Sequence, residues 1–358
     1  MTTYHVQNCK NGYAARILAA ISISLTLVAG AVTPAYAQRQ PHTFFTNVIK
    51  LTPDQIQQIE KGQVVTKVLE SKDKYGLLVF GAVYVNAPMD KVAGVYRDVG
   101  KLEQEKVYLA VKQFNQIGTP VKLADFDRLE LSTKDIDALE DCKPGDCDIQ
   151  LVNIDDVTKE IDWKSKEKYK LANAVARRRV YDGMSRYITG GLKALGNYRD
   201  REKPLSLYQA TKDMVDSSYY LPQAKAPEIY RHVVDYPEGK MKGAEDVFYW
   251  ETIDFGQGPV IRVNHVSIFP NPTGAVKLAI ANKQLFASKY IRVALQMFYC
   301  VPDTQNPTKP GFYLIEMNDS RLPDFGGLKL GIVRKIATST SVEGTRDTLE
   351  ILARRAKQ

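Results

Sequence analysis

The chain has 358 residues, 44% of them hydrophobic and 25% charged, and a formal net charge of +8. Apart from Arg177-Arg-Arg179 the basic residues are dispersed, so the charge gives nucleic-acid binding no footing. There is no internal repeat and no low-complexity segment, and the mature length of about 320 residues suits one large domain or two ordinary ones.

The predicted elements begin with a leader. Lys10 and Arg16 precede an uncharged apolar run from Ile17 to Val32, and Ala35-Tyr-Ala37 has the small-x-small form that signal peptidase cleaves. Residues 1–37 therefore read as a signal peptide removed between Ala37 and Gln38, which predicts a secreted or periplasmic protein. An uncleaved N-terminal anchor is the competing reading. Loss of Lys10 and Arg16 reduces the charge to +6, a modest attraction to anionic lipid. Cys9 leaves with the leader. Cys142 and Cys147 bracket Lys-Pro-Gly-Asp, a turn that brings the thiols together in an oxidising compartment, so a disulfide is expected. Two cysteines without a nearby histidine make half a metal site at best, and no metal or cofactor is expected. Cys300 ends an apolar run and reads as a buried free thiol.

Residues 38–63 form an extension in which Thr52-Pro-Asp-Gln55 is a capping box with proline at the first helical position. Strands are predicted over Val64–Glu70 and Tyr75–Val85. Asn86-Ala-Pro88 then opens a helix, Met89–Leu102, with Val92, Val95, Tyr96 and Val99 on one face. Tyr108–Ile117, Leu123–Leu131 and Asp148–Val152 read as further strands, and Lys134–Glu140 as a helix capped by Ser132-Thr133. Residues 155–240 have a helical period, strongest from Tyr169 to Leu195, with a bend expected at Gly190-Gly191. Shorter helices follow at Leu207–Ser217 and Pro227–Val234.

From residue 241 strands return in quick succession: Asp246–Trp250, Val260–Phe269, Leu285–Tyr299 and Gly311–Asn318. Short connections predict an antiparallel meander. From Leu328 the apolar residues Ile332, Val333, Ile336, Val342, Leu349 and Leu352 fall at helical spacing, with a break suspected at Thr338-Ser-Thr-Ser341. The fold class is thus α+β: a curved antiparallel sheet gripped by a long C-terminal helix, with a helical insertion at 155–240 dividing the halves 64–154 and 241–358.

Val83, Val85, Ala87, Pro88, Val92, Tyr96 and Asp98 form a strand, a short turn and a helix that resemble the opening of START-related (Bet v 1-like, SRPBCC) helix-grip domains. The consecutive late strands and the terminal helix resemble the close of the same domains. The likeness covers about residues 64–110 and 245–357, while the helical middle departs from it. The chain also looks like exported bacterial proteins. The helix-grip resemblance implies a lipid or other apolar small molecule held between sheet and helix. Contact with a membrane surface or an envelope protein is a further expectation.

Within such a cavity the ligand-binding candidates are Trp250, His265, Phe286, Tyr290, Phe298 and Tyr313. His265 lies on a largely apolar strand face and has two readings: a polar anchor or acid/base group in the cavity, or a core imidazole bonded to a neighbouring strand or carboxylate. It is the one catalytic candidate. A buried Arg292 would need a carboxylate, for which Glu316 is a candidate, and an ordinary salt bridge on the outer face is the favoured competing reading. Ser288 lacks a nucleophile-elbow context. Asp125/Asp127 and Asp135/Asp137 lack the glycine and distal glutamate of a calcium loop. Three functions are carried forward: an apolar-ligand carrier, an enzyme on the same scaffold using His265, and an envelope interaction module using the insertion.

Overall fold

A computed structural model describes residues 41–358 except 115–118, 144, 146, 148, 151–153, 222–225, 255, 305–310 and 326. The leader with its cleavage site lies outside the described residues, as does most of the strand expected at Asp148–Val152. The N-terminal extension contributes α1 (Pro41–Phe44), a wider turn Phe45–Ile49, and α2 (Pro53–Glu60). The capping box at α2 is formed: Gln55 N–H donates to Thr52 Oγ1 at 3.2 Å and Thr52 N–H donates to Gln55 Oε1 at 2.9 Å.

Among the described residues, eight strands make one antiparallel sheet. They are β1 (Val65–Leu69), β2 (Gly76–Val85), β3 (Tyr108–Phe114), β6 (Glu245–Ile253), β7 (Val260–Thr273), β8 (Val276–Ala287), β9 (Val293–Pro302) and β10 (Phe312–Arg321). The order is β1-β2-β10-β9-β8-β7-β6-β3, so β6 to β10 form a five-strand meander. A small separate pair joins β4 (Asn197–Tyr198) to β5 (Leu205–Ser206). The strand expected over Leu285–Tyr299 is instead two strands joined by a turn at Ser288–Arg292. No glycine, proline or asparagine marks that turn. Tyr290 makes it at φ 71°, a region in which a bulky side chain is strained. Leu123–Leu131 is not a strand either; a 3-10 turn occupies Leu123–Phe126. The helix expected at Met89–Leu102 is α3 (Asp90–Arg97) followed by a 3-10 turn, Val99–Gln104.

Both faces of the sheet are covered, so most of its side chains are buried. One face carries α3 and the C-terminal helix α9 (Gly327–Arg355) over Val83, Val85, Tyr249, Val266, Ile280, Phe298 and Leu314. The other carries the helical middle: α4 (Thr133–Glu140), α5 (Ile154–Glu160), α6 (Lys168–Leu195), α7 (Leu207–Ser217) and α8 (Pro227–Asp235). α6 bends at Gly191, which has φ 64°. A Cβ there would stand 1.9 Å from the Tyr236 carbonyl oxygen, so both backbone and contact require glycine.

α9 runs unbroken through Thr338–Ser341; its close apolar packing on the sheet lies in its second half, while in its first half Arg334 donates to the Gly76 carbonyl at 3.2 Å and to the Lys74 carbonyl. Thr345, Leu349 and Leu352 are buried against the sheet. Closest approach is at Gly81, where an added Cβ would lie 2.6 Å from both Thr345 Cγ2 and Leu349 Cδ1. Asn318 Nδ2 donates to Thr345 Oγ1 at 3.1 Å, and Arg354 and Arg355 hold Glu105. Towards the N-terminus the helix stands away from the sheet; Leu328 is 90% exposed and Ile332 63%.

Candidate functional site: the space beneath α9 and a buried histidine pair

The stand-off of α9 leaves two adjoining cavities. The first, of about 200 Å³, lies under the exposed half of the helix and is apolar. Ile253, Val260, Ala287 and Leu322 face Val333, Ile336 and Ala337 across it, and Tyr290 borders it. The second, of about 90 Å³, lies nearer the gripping half. Arg262, Gln284, Ile291, Thr340 and Ser341 border both.

The second cavity is polar on both walls. From the sheet come Asn264, Asn282, Gln284, Gln296, Asn318 and Ser320, all at alternate positions on their strands. From α9 come Thr340, Ser341, Gly344, Asp347 and Thr348. The small Thr-Ser-Thr-Ser stretch, poor in helix propensity, is where the helix must leave room. Hydrogen bonds lock the amides. Asn282 Nδ2 donates to Gln296 Oε1 at 2.9 Å and to Tyr249 Oη at 3.2 Å, and Gln296 Nε2 donates to Glu316 Oε1 at 3.0 Å. Glu316 is wholly buried, and that burial pushes its carboxyl up to about 8, against the smaller opposing effect of the Gln296 bond. Arg262 bonds Glu251 Oε1 through Nε at 2.8 Å and Nη2 at 2.5 Å, and Asn264 Nδ2 donates to the same oxygen at 3.0 Å.

Of the six residues proposed from sequence, only Tyr290 borders this space. Trp250, His265, Phe286 and Tyr313 lie on the opposite face, in the core shared with the helical middle. Phe298 is on the α9 face but packs on Tyr96, ring centroids 5.7 Å apart. Arg292 does not meet Glu316; it pairs with Asp200, Nη1 to Oδ1 at 2.5 Å. Cys142 and Cys147 are joined in a disulfide, and Cys300 is free and buried.

His265 sits at the centre of the opposite face, 1% exposed, and borders neither cavity under α9. Its Nε2 is 2.9 Å from Asp246 Oδ1 on β6, and Tyr187 of α6 is 2.7 Å from its Nδ1. Sequence reasoning passed over His232, whose Nε2 meets the same Asp246 oxygen at 2.9 Å and Ser267 Oγ at 2.9 Å. The available signal was its place on the apolar face of α8 with Ile229 and Val233. Lys240 Nζ reaches Asp246 Oδ2 at 2.8 Å. Although burial works to raise the Asp246 carboxyl, its bonds to His232 and His265 prevail and hold it far below the usual carboxylate range. Burial, aided by nearby Lys283, brings the His265 imidazole down to about 3 despite Asp246. Burial likewise brings Lys283 down to about 7.

His232, Asp246 and His265 have the residue types of a metal site, with donor atoms within 4.8 Å of one another. The donor set does not fit one. The Met241 N–H donates to His232 Nδ1 at 3.0 Å, so the ring proton is on Nε2 and points at Asp246. A metal-bound imidazole would need that Nε2 lone pair and a proton on Nδ1. The cluster instead joins strands β6 and β7 to helices α6 and α8 by shared protons. His265 therefore takes the place of a satisfied core imidazole.

The chain matches no family profile, no curated protein and no solved structure.

Proposed function

We propose that the protein is a carrier for a small amphipathic molecule, bound between the sheet and α9 in the manner implied by the helix-grip resemblance. One observation carries the reading: the helix packs closely on the sheet at its second half, while its first half, held to the β1–β2 turn by Arg334, bridges an apolar cavity that adjoins a polar one. Ligand pockets combine an apolar lining with a few placed polar groups, as here. At about 200 Å³ the apolar arm suits one alkyl chain rather than a multi-ring sterol. Binding would draw on burial of that chain, about 25 cal/mol per Å² before ordering costs. Export after cleavage near Ala37-Gln38 belongs to the same proposal, and the Cys142–Cys147 disulfide supports an oxidising compartment.

The alternatives have less support. Catalysis by His265 would need a substrate at a residue enclosed by Tyr187, Tyr236 and Phe248. An interaction role for the insertion would need an apolar outer face. On α6 exposed apolar side chains are confined to Tyr169 and Leu171 among the described large hydrophobics.

The test is uptake of the uncharged dye N-phenyl-1-naphthylamine by the mature chain and by Ala337→Trp, which fills the apolar arm. Saturable fluorescence gain in the parent, lost in a variant of unchanged melting temperature, is expected. No uptake by the parent, or equal uptake by both, ends the reading.

A further inference from the structure

The polar arm specifies which end of an amphiphile it receives. Among the described residues, four buried side-chain oxygens on this face have no hydrogen-bond partner: Glu251 Oε2, Asn282 Oδ1, Gln284 Oε1 and Glu316 Oε2. Asn282 and Gln284, 6% and 5% exposed, border the polar cavity directly. The three outside the protonated Glu316 carboxyl are acceptors. The amide donors beside them are committed: Asn282 Nδ2 to Tyr249 and Gln296, Gln284 Nε2 to the Ile291 carbonyl at 3.3 Å, and Gln296 Nε2 to Glu316. With Gln296 Nε2 on Glu316, turning the Asn282 amide over would set two carbonyl oxygens against each other at Gln296.

The cations bordering the space are committed as well. Arg262 is held by Glu251, and Lys289 by Asp135 at 2.6 Å. Asp347 of α9 adds a carboxylate to the polar wall. The sheet amides therefore offer acceptors, Asp347 adds negative charge, and the bordering positive charges are already paired. An anionic head would meet the Asp347 carboxylate with no unpaired cation to offset it. A head bearing O–H or N–H groups would satisfy oxygens that are otherwise buried without partners.

Resting on the carrier reading above, we propose that the polar cavity selects single-chain amphiphiles with a hydrogen-bond-donating head, hydroxyl or amine, and rejects carboxylate heads. Asn282 and Gln284 are the accepting residues, and Asp347 is the residue that excludes anions.

The experiment is displacement of N-phenyl-1-naphthylamine from the mature chain by three probes of equal chain length, 1-monolauroylglycerol, dodecylamine and laurate, below their aggregation concentrations. Expected is displacement by monolauroylglycerol or dodecylamine at a concentration at least about tenfold lower than by laurate; the order of the first two tells which donor head is preferred. Gln284→Met, which removes one acceptor at nearly constant volume, is expected to weaken the preferred probe about fivefold to tenfold and leave laurate unchanged. Asp347→Asn is expected to improve laurate severalfold. Laurate binding as well as or better than the donor heads would overturn the selectivity while leaving the carrier reading standing. Dye uptake without displacement by any probe would overturn the selectivity as well. Absence of dye uptake is the separate failure of the carrier reading.

Discussion

Arg292, at the tip of the β8–β9 hairpin, is paired with Asp200 between β4 and β5, and both side chains are almost wholly buried. The pair closes the helical layer onto the sheet. Removing one partner leaves the other charged and unsolvated, which costs about 3–5 kcal/mol, whereas replacing both with apolar groups is far milder. Asp200→Ala is expected to lower unfolding stability by that amount in urea titration. The double variant Asp200→Leu/Arg292→Met is expected to recover more than half of the loss.

Glu316 provides a pH signature. Its carboxyl is raised to about 8 in the fold, against 4.5 for an ordinary glutamate. Between those values the folded chain holds a proton that the unfolded chain has released. The contribution to stability is therefore nil below about pH 4.5, falls as pH rises, and is fully unfavourable above about pH 8. Glu316→Gln, which keeps an acceptor for Gln296, is expected to match the parent at pH 4 and to melt higher at pH 8.5. Equal melting temperatures at both pH values would contradict this assignment.

The histidine pair yields a prediction about metals. With a proton on His232 Nε2 directed at Asp246, zinc or a chelator is expected to leave the melting temperature of the full chain unchanged. Asp246→Asn keeps the size but replaces the shared anion with a neutral amide. It is expected to destabilise the fold by about 2–4 kcal/mol, since hydrogen bonds to a buried charged group are worth about 1.5–3 kcal/mol each. A metal-dependent rise in melting temperature would restore the metal reading.

Gly81 sets how tightly α9 closes. Gly81→Ala places a methyl against Thr345 and Leu349, and such overpacking costs about 1–3 kcal/mol. Faster amide exchange is expected across residues 345–355, with the helical middle unaffected. Equal exchange rates in both regions would show that the contact does not control the helix.

Particular residues show what was readable in the sequence. Thr52-Pro-Asp-Gln55 announced α2, and Gly190-Gly191 announced the bend in α6, because caps and glycines act locally. The aromatic and β-branched runs of β2, β6, β7 and β10 were equally plain. β8 was not, because Asn282-Lys283-Gln284 reads as loop. Those residues point alternately into the polar cavity and into the opposite core, where Lys283 Nζ donates to the Val233 carbonyl at 2.5 Å. A strand that is polar on a buried face breaks the alternation rule on which strand reading relies. The same cause hid the polar cavity. Aromatics signal burial, and here most of those proposed as lining fill the core, whereas the polar cavity is lined by amides and small hydroxyls that meet only when β7 to β10 lie side by side.

The lower face of the sheet is tied to its helices by Arg292–Asp200, Lys289–Asp135, Tyr187–His265 and Tyr220–Asp319. The upper face is covered by α3 and by α9, and the first half of α9 spans the two cavities with Arg334 holding it to the β1–β2 turn. In the proposed carrier, a cargo larger than the cavities would have to displace the first half of α9 against the Arg334 contacts. Loaded and unloaded forms would then differ in the attitude of an outer rod, so a second molecule could read occupancy by touch without reaching the cargo.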